Sequence, residues 1–191
     1  TTSFNSTLTF SDTSSVTTMR HIFRGALLFN QPLPWDTSSV STMDYMFYDA
    51  KAFDQTLNWD TSSLTDASSM FRGASAFNSA LNFSDTSNLN IISYMFTNAT
   101  AFNQSLIWDV SRVTSMYSMF FNVTLSTANY DSTLIAWENY LSFRYPGGVG
   151  YTTDLIVQFG AAKYTGGGSA NAARTSLITN FGWTITDGGL V

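Results

Sequence analysis

Asp12, Asp36, Asp60, Asp85 and Asp109 recur at intervals of 24 or 25 residues. A carboxylate repeated in this way has two chemical uses. It can lend oxygens to a row of Ca²⁺ ions, each of which takes several oxygen ligands. It can also accept hydrogen bonds from the free N–H groups of a helix start or a turn. One carboxylate per repeat is thin for calcium, and the hydroxyls that follow Asp36 (Thr37, Ser38 and Ser39) suit capping, so no metal site is expected. Catalytic chemistry has fewer candidates still. His21 is the single histidine, Glu138 the single glutamate, and cysteine is absent. A nucleophile, a base and a charge stabiliser must converge for catalysis, so no catalytic residue, no cofactor and no enzyme is expected. The glycine runs at 147–148 and 166–168 lack the Lys-Ser/Thr that completes a phosphate loop.

The aspartates belong to a longer unit. Phe29 to Ala52 reads FNQPLPWDTSSVSTMDYMFYDAKA, and related copies begin at Phe4, Phe53, Phe77 and Phe102. A period of 24–25 residues lies in the range of stacked repeats. Ser11 and Ser84 are single insertions at one place in the unit, which a turn or bulge absorbs. Within the second copy, Phe29, Leu33 and Trp35 share a parity and predict a short strand. Val40, Met43, Met46, Phe47 and Ala50 fall three or four apart and predict a helix. Prolines 32 and 34 restrict that strand to two or three residues. All seven methionines fall in the helical stripes, where gap-filling core packing is the expected role. A strand–helix unit cannot bury its apolar face alone, so the copies must stack. Asn5, Asn30, Asn78 and Asn103, with Asp54 in the series, predict an internal ladder bonding the turns.

The run W-D-T-S-S-V-x-x-M-x-x-M-F-x-x-A-x-x-F-N-Q resembles the BspA-like leucine-rich-repeat surface proteins, including the mycoplasma lipoprotein repeats. The closing run G-W-T-I-T-D-G-G is similar to the segment that follows such repeats. The resemblance implies an α/β, leucine-rich-repeat-like solenoid displayed outside the cell and often found in adhesins. It implies no catalytic residues and leaves the ligand open. The expected architecture is five strand–helix coils of 24–25 residues over 1–125, followed by a C-terminal α/β capping module over 126–191. In that module the sequence predicts a helix over Asn129–Leu141, a strand over Leu155–Phe159 and a helix from Ser169 to about Asn180.

Composition bounds the partners. Only 11% of residues are charged, against about 25% in ordinary domains, and the net charge is -5. The few Lys and Arg are scattered, so nucleic acid is excluded as an expected partner. No apolar run reaches the length of a membrane span, and Thr1 does not begin a signal peptide, so a mature or excised chain is expected. The outward columns His21, Tyr45, Ser69, Tyr94, Ser118 and Arg24, Tyr48, Arg72, Thr97, Phe121 vary on a regular scaffold. Tyr45, Tyr48, Arg72, Tyr94 and Phe121 are the candidate binding residues, because Tyr and Arg dominate binding hot spots. Phe4, Leu8 and Phe10 continue the core columns without a preceding copy and form a candidate assembly edge. Of the N-x-[ST] sequons, Asn98 and Asn122 lead the glycosylation candidates, with Asn5 and Asn82 behind them; Asn103 is assigned to the ladder.

Two functions follow. The first is an extracellular or cell-surface module for adhesion, binding proteins or glycans. The second is a structural subunit of an extracellular filament or surface assembly that stacks copies of itself through its ends. Ice binding through the Thr–Ser arrays is a third.

Overall fold

The computed structural model describes residues 3–10 and 12–191. Thr1, Thr2 and the insertion Ser11 lie outside the described residues. Regular secondary structure among the described residues is confined to the C-terminal segment. Helix α1 spans Thr127–Arg144 and helix α2 Ser169–Thr179, while strands β1 (Ile156–Gln158) and β2 (Thr184–Thr186) pair in parallel, Ile156 opposite Thr184. The expected leucine-rich-repeat-like solenoid of five strand–helix coils with an α/β cap is therefore contradicted. Among the described residues the repeat copies contain neither helix nor strand, only turns, extended legs and isolated parallel bridges such as Thr18↔Thr42, Thr42↔Asp66 and Leu57↔Leu81.

Hydrogen-bond direction explains the missing helix. The segment from Met43 to Ala50 sends alternate N–H groups out of its own copy: Met43, Tyr45, Phe47 and Asp49 donate to the carbonyls of Asp66, Ser68, Met70 and Arg72. Met46, Tyr48 and Ala50 donate three residues back, to Met43, Tyr45 and Phe47. An α-helix needs every interior N–H for its own i−4 carbonyl, so a segment that shares half of them with a neighbour cannot be one. Tyr45 and Asp49 each adopt a left-handed conformation (φ 56° and 54°) that ends one turn and starts the next. The same pattern recurs at Ser69 and Gly73 and at Tyr94 and Asn98. Gly73 suits this conformation (φ 75°) and leaves room for the Asp49 carboxylate, which a Cβ there would displace. Each copy thus forms a tier of linked turns lying on the next.

The expected strand fails for a related reason. In the second copy prolines 32 and 34 have no N–H to give, and among the described residues these legs form one bridge, Leu57↔Leu81, where Asn82 N–H donates to the Leu57 carbonyl.

The tiers bury a double file of phenylalanine rings. Phe4, Phe29, Phe53, Phe77 and Phe102 stack with centroids 5.5–6.1 Å apart. Phe23, Phe47, Phe71, Phe96 and Phe120 stack at 5.3–5.7 Å beside them. Contacts of 3.9–4.1 Å join the files within each tier, as between Phe47 and Phe53. The second file continues across the sequence boundary: Phe120 stacks on Phe159 at 4.9 Å, which packs on Tyr130 and Trp137. Helix α1 forms where the turn formers of the repeat give way to Leu, Ala and Trp; Tyr130, Leu134, Trp137 and Leu141 bury one stripe of it. Its N-cap, Ser126, accepts from Asn129 N–H. Helix α2 begins after Gly168 with no side-chain cap, at the Ser169 where the sequence starts it.

Candidate functional site

Hydrogen bonds first settle what the polar columns do. Asp12, Asp36, Asp60, Asp85 and Asp109 each accept, through one Oδ1, from the N–H two residues on, at 2.8–3.0 Å. Each therefore closes a local turn rather than a helix start. Among the described residues no cluster of acidic or imidazole groups could hold a metal ion. Bonds from the Ser14 and Ser38 hydroxyls and N–H groups hold the Asp12 and Asp36 carboxyls below their ordinary range, and the Ser62 N–H does the same for Asp60.

The Asn5, Asn30, Asp54, Asn78, Asn103 series is an acceptor chain. Each Oδ1 takes the backbone N–H of the next member at 2.8–2.9 Å. Only the acceptor is used, which is why a carboxylate serves as well as an amide at Asp54. Asn103 passes the chain to Ser126 N–H at 2.7 Å, at the start of α1.

The outward side of the turns carries the binding candidates. The left-handed positions form two columns. One holds Gly25, Asp49, Gly73, Asn98 and Asn122, the residue types that tolerate this conformation. The other holds His21, Tyr45, Ser69, Tyr94 and Ser118. Large rings are not selected by left-handed backbone, which costs an L-residue roughly 1–2 kcal/mol. Tyr45 and Tyr94 adopt it nonetheless, as do His21, Ser69 and Ser118.

Those rings form a strip with two guanidinium groups. His21 stacks flat on Tyr45 at 4.9 Å. Arg24 lies over Tyr45 and Tyr48, at 5.7 and 5.1 Å. Arg72 lies over Tyr48 and Tyr94, at 5.7 and 5.3 Å. Tyr48 is thus held between two cations, each contact contributing about 0.5–1 kcal/mol at an exposed site. Tyr117 extends the strip with an edge contact to Tyr94.

Of the five residues the sequence nominates, the structure brings Tyr45, Tyr48, Arg72 and Tyr94 into this strip. Phe121 stands apart, exposed and lining a hollow of about 380 Å³ with Gln158 and Thr186 at the seam with the C-terminal segment. His21, Arg24 and Tyr117 were not nominated. The alternation Arg24, Tyr48, Arg72 in one column was the available signal.

The other nominated residues have these surroundings. Phe10 is 59% exposed, whereas Phe4 and Leu8 are half-buried against the core. Leu8, Phe10, Val16, Met19, Ile22 and Trp35 line an apolar hollow of about 240 Å³ at this end. Asn5, Asn82, Asn98 and Asn122 are all exposed. Asn122 Nδ2 donates to Asn98 Oδ1 at 2.8 Å, Asn82 Nδ2 to Asn58 Oδ1 at 2.6 Å, and Asn5 serves the ladder. No helix is long and apolar enough to cross a membrane among the described residues.

One family model, described as "Mycoplasma protein of unknown function, DUF285", matches the chain over residues 1–58 and 34–137. No curated protein matches the chain, and no solved structure does.

Proposed function

This chain belongs to the Mycoplasma DUF285 family of unknown function, and on that premise we propose that it is a non-catalytic module that acts outside the cell, binding proteins or glycans at a surface. The finer relationship, to the BspA-like surface proteins, is part of the same proposal and rests on the W-D-T-S-S-V…M-F repeat motif; it no longer includes their strand–helix coil. The observation that carries the reading is the Arg–Tyr strip. Aromatic rings occupy strained backbone positions where Ser serves in the neighbouring tiers, and they hold two guanidinium groups at the surface. Tyr45 and Tyr94 are half-buried and His21 exposed, and backbone strain kept at such positions is what functional sites often carry.

The test is adhesion of beads coated with the chain to cell surfaces and to immobilised matrix proteins. Replacing Tyr45, Tyr48 and Tyr94 together with Ala is expected to reduce attachment at least tenfold while the melting temperature stays within a few degrees. Unchanged attachment would remove the strip from the function.

A second reading is an assembly that stacks end to end. The 59% exposure of Phe10 and the apolar hollow beside it favour this reading. Sedimentation over a range of concentrations tests it. Association that disappears in a Phe4→Ser, Phe10→Ser variant supports end stacking; a monomer at high concentration excludes it.

A further inference from the structure

We propose that the Arg–Tyr strip binds an acidic polysaccharide, with Arg24 and Arg72 each receiving one sugar carboxylate. This deepens the surface-binding reading and rests on it. The ion pairs among the described residues are Arg20 with Asp44 and Arg174 with Asp187, so Arg20 is already neutralised. Arg24 and Arg72 have no carboxylate partner there. Their guanidinium carbons lie 5.1–5.7 Å from the ring centroids of Tyr45, Tyr48 and Tyr94, each between two rings, which narrows the positions of their N–H forks before any ligand arrives. A fixed fork matches a carboxylate bidentately and loses little entropy on binding it.

Spacing and surroundings select among anionic ligands. Arg24 and Arg72 stand two tiers apart, roughly 10 Å at the ordinary separation of hydrogen-bonded neighbours. Two cations so placed, on a chain of net charge -5, are too sparse for duplex nucleic acid, which carries a charge about every 1.7 Å. They are also too few for an anionic lipid surface, which recruits clusters of about four to eight basic residues. An acidic peptide would need partners for its own backbone, and this face offers no free edge. The N–H groups of Met43, Tyr45, Phe47 and Asp49 all donate to the next tier. A sugar chain has only hydroxyls to satisfy between its charges, and the strip supplies tyrosine hydroxyls there. Asp49, the carboxylate beside the strip, is seated over Gly73.

The probes are hyaluronan, which has one carboxylate per disaccharide, polygalacturonate, and carboxyl-reduced hyaluronan, titrated calorimetrically against the whole chain. Binding to at least one acidic polymer is expected, weakening with salt, with none to the reduced polymer. An R24Q/R72Q variant should lose at least tenfold in affinity and its salt dependence without a change in melting temperature. R24K/R72K keeps the charge but not the fork and should fall between. Equal binding of the reduced polymer, an unaffected R24Q/R72Q variant, or no binding of either acidic polymer overturns the proposal. The bead assay then separates the two claims. Attachment still lost with the tyrosines leaves the surface reading standing with a different ligand, and attachment unaffected by them removes both.

Discussion

Between Val16 and Val123 most backbone hydrogen bonds either close a three-residue turn or reach a residue 23–26 positions away. Between Ser126 and Val191 they close within helices α1 and α2, join β1 to β2, or form short turns and the Tyr164↔Leu190 bridge, and among the described residues none reaches a repeat copy. The two regions bury similar aromatic side chains. They differ in where the backbone finds its partners, and so in what each can do alone. A tier satisfies half of its donors only when another tier is present, whereas α1 satisfies its own. Repetition is therefore a condition of folding in the first region, and the second is equipped to end it.

Several experiments can break or sharpen that contrast. The largest effect is expected from deleting residues 126–191. Leu106, Trp108 and Phe120 would lose their cover, Leu106 N–H its Thr133 hydroxyl, and the ladder its last donor, the Ser126 N–H. Aggregation, or loss of a cooperative transition by circular dichroism, is expected; a soluble cooperative fragment would mean that the tiers are self-sufficient.

Next come the rings. Phe47→Ala, amid Phe23, Phe53 and Phe71, should cost about 3–5 kcal/mol in a denaturant titration. Phe159→Ala, at the seam, should cost about as much and also separate the unfolding of the two regions into two transitions.

Asp187→Asn comes third. This carboxylate is only 3% exposed and holds Arg174 at 2.7 Å and the Tyr130 hydroxyl at 2.6 Å. Leaving the guanidinium without its partner should cost about 3 kcal/mol. The tyrosine itself is held neutral, since burial and the neighbouring Asp187 both raise its pKa. The loss should register on the C-terminal transition once Phe159→Ala has separated the two.

Smaller effects probe the tiers. Asn78→Ala removes the acceptor for Asn103 N–H and Gln104 and should cost about 1–2 kcal/mol. Asn78→Asp should be near neutral, because Asp54 already fills the same role one tier earlier. The smallest effect concerns acid. The folded pKa values of Asp12, Asp36 and Asp60 lie below the ordinary 3.8, so their contribution is complete above that pH and is lost as pH falls through the lower folded values. A shallow decline in melting temperature below about pH 4 is expected, made shallower by Asp36→Asn. Calcium or a chelator should leave the melting temperature where it is.

How much of this was legible in the sequence depended on which level the residues encode. The phenylalanine files and the asparagine series were legible because a side chain repeated every 24 or 25 residues meets its own kind whatever backbone carries it. The backbone itself was not. A train of turns reset by a left-handed residue at Tyr45 and again at Asp49 places Val40, Met43, Met46, Phe47 and Ala50 inside, the same three-and-four spacing that a helix gives. The signal that separates the two was present in the column Gly25, Asp49, Gly73, Asn98 and Asn122, whose types favour positive φ and have no reason to recur in a helix. At the strip, the tyrosines were legible as variable outward residues. The clamping of Arg24 and Arg72 against them was not, because it depends on how closely one tier lies on the next.

The contact between Phe120 and Phe159 has a genetic consequence. Phe159 stacks on Phe120 much as a further tier's phenylalanine would, and Ser126 takes the Asn103 acceptor as a further tier's Asn would. These two contacts use features that every tier possesses, whereas the Ser118 hydroxyl that bonds Gln158 belongs to the last tier. Unequal recombination that adds or drops one interior unit leaves these contacts in place and asks no compensating change of the C-terminal segment. Where the added unit carries Arg or Tyr at these columns, the Arg–Tyr strip lengthens with it, so its length is a quantity that the gene can alter in whole steps.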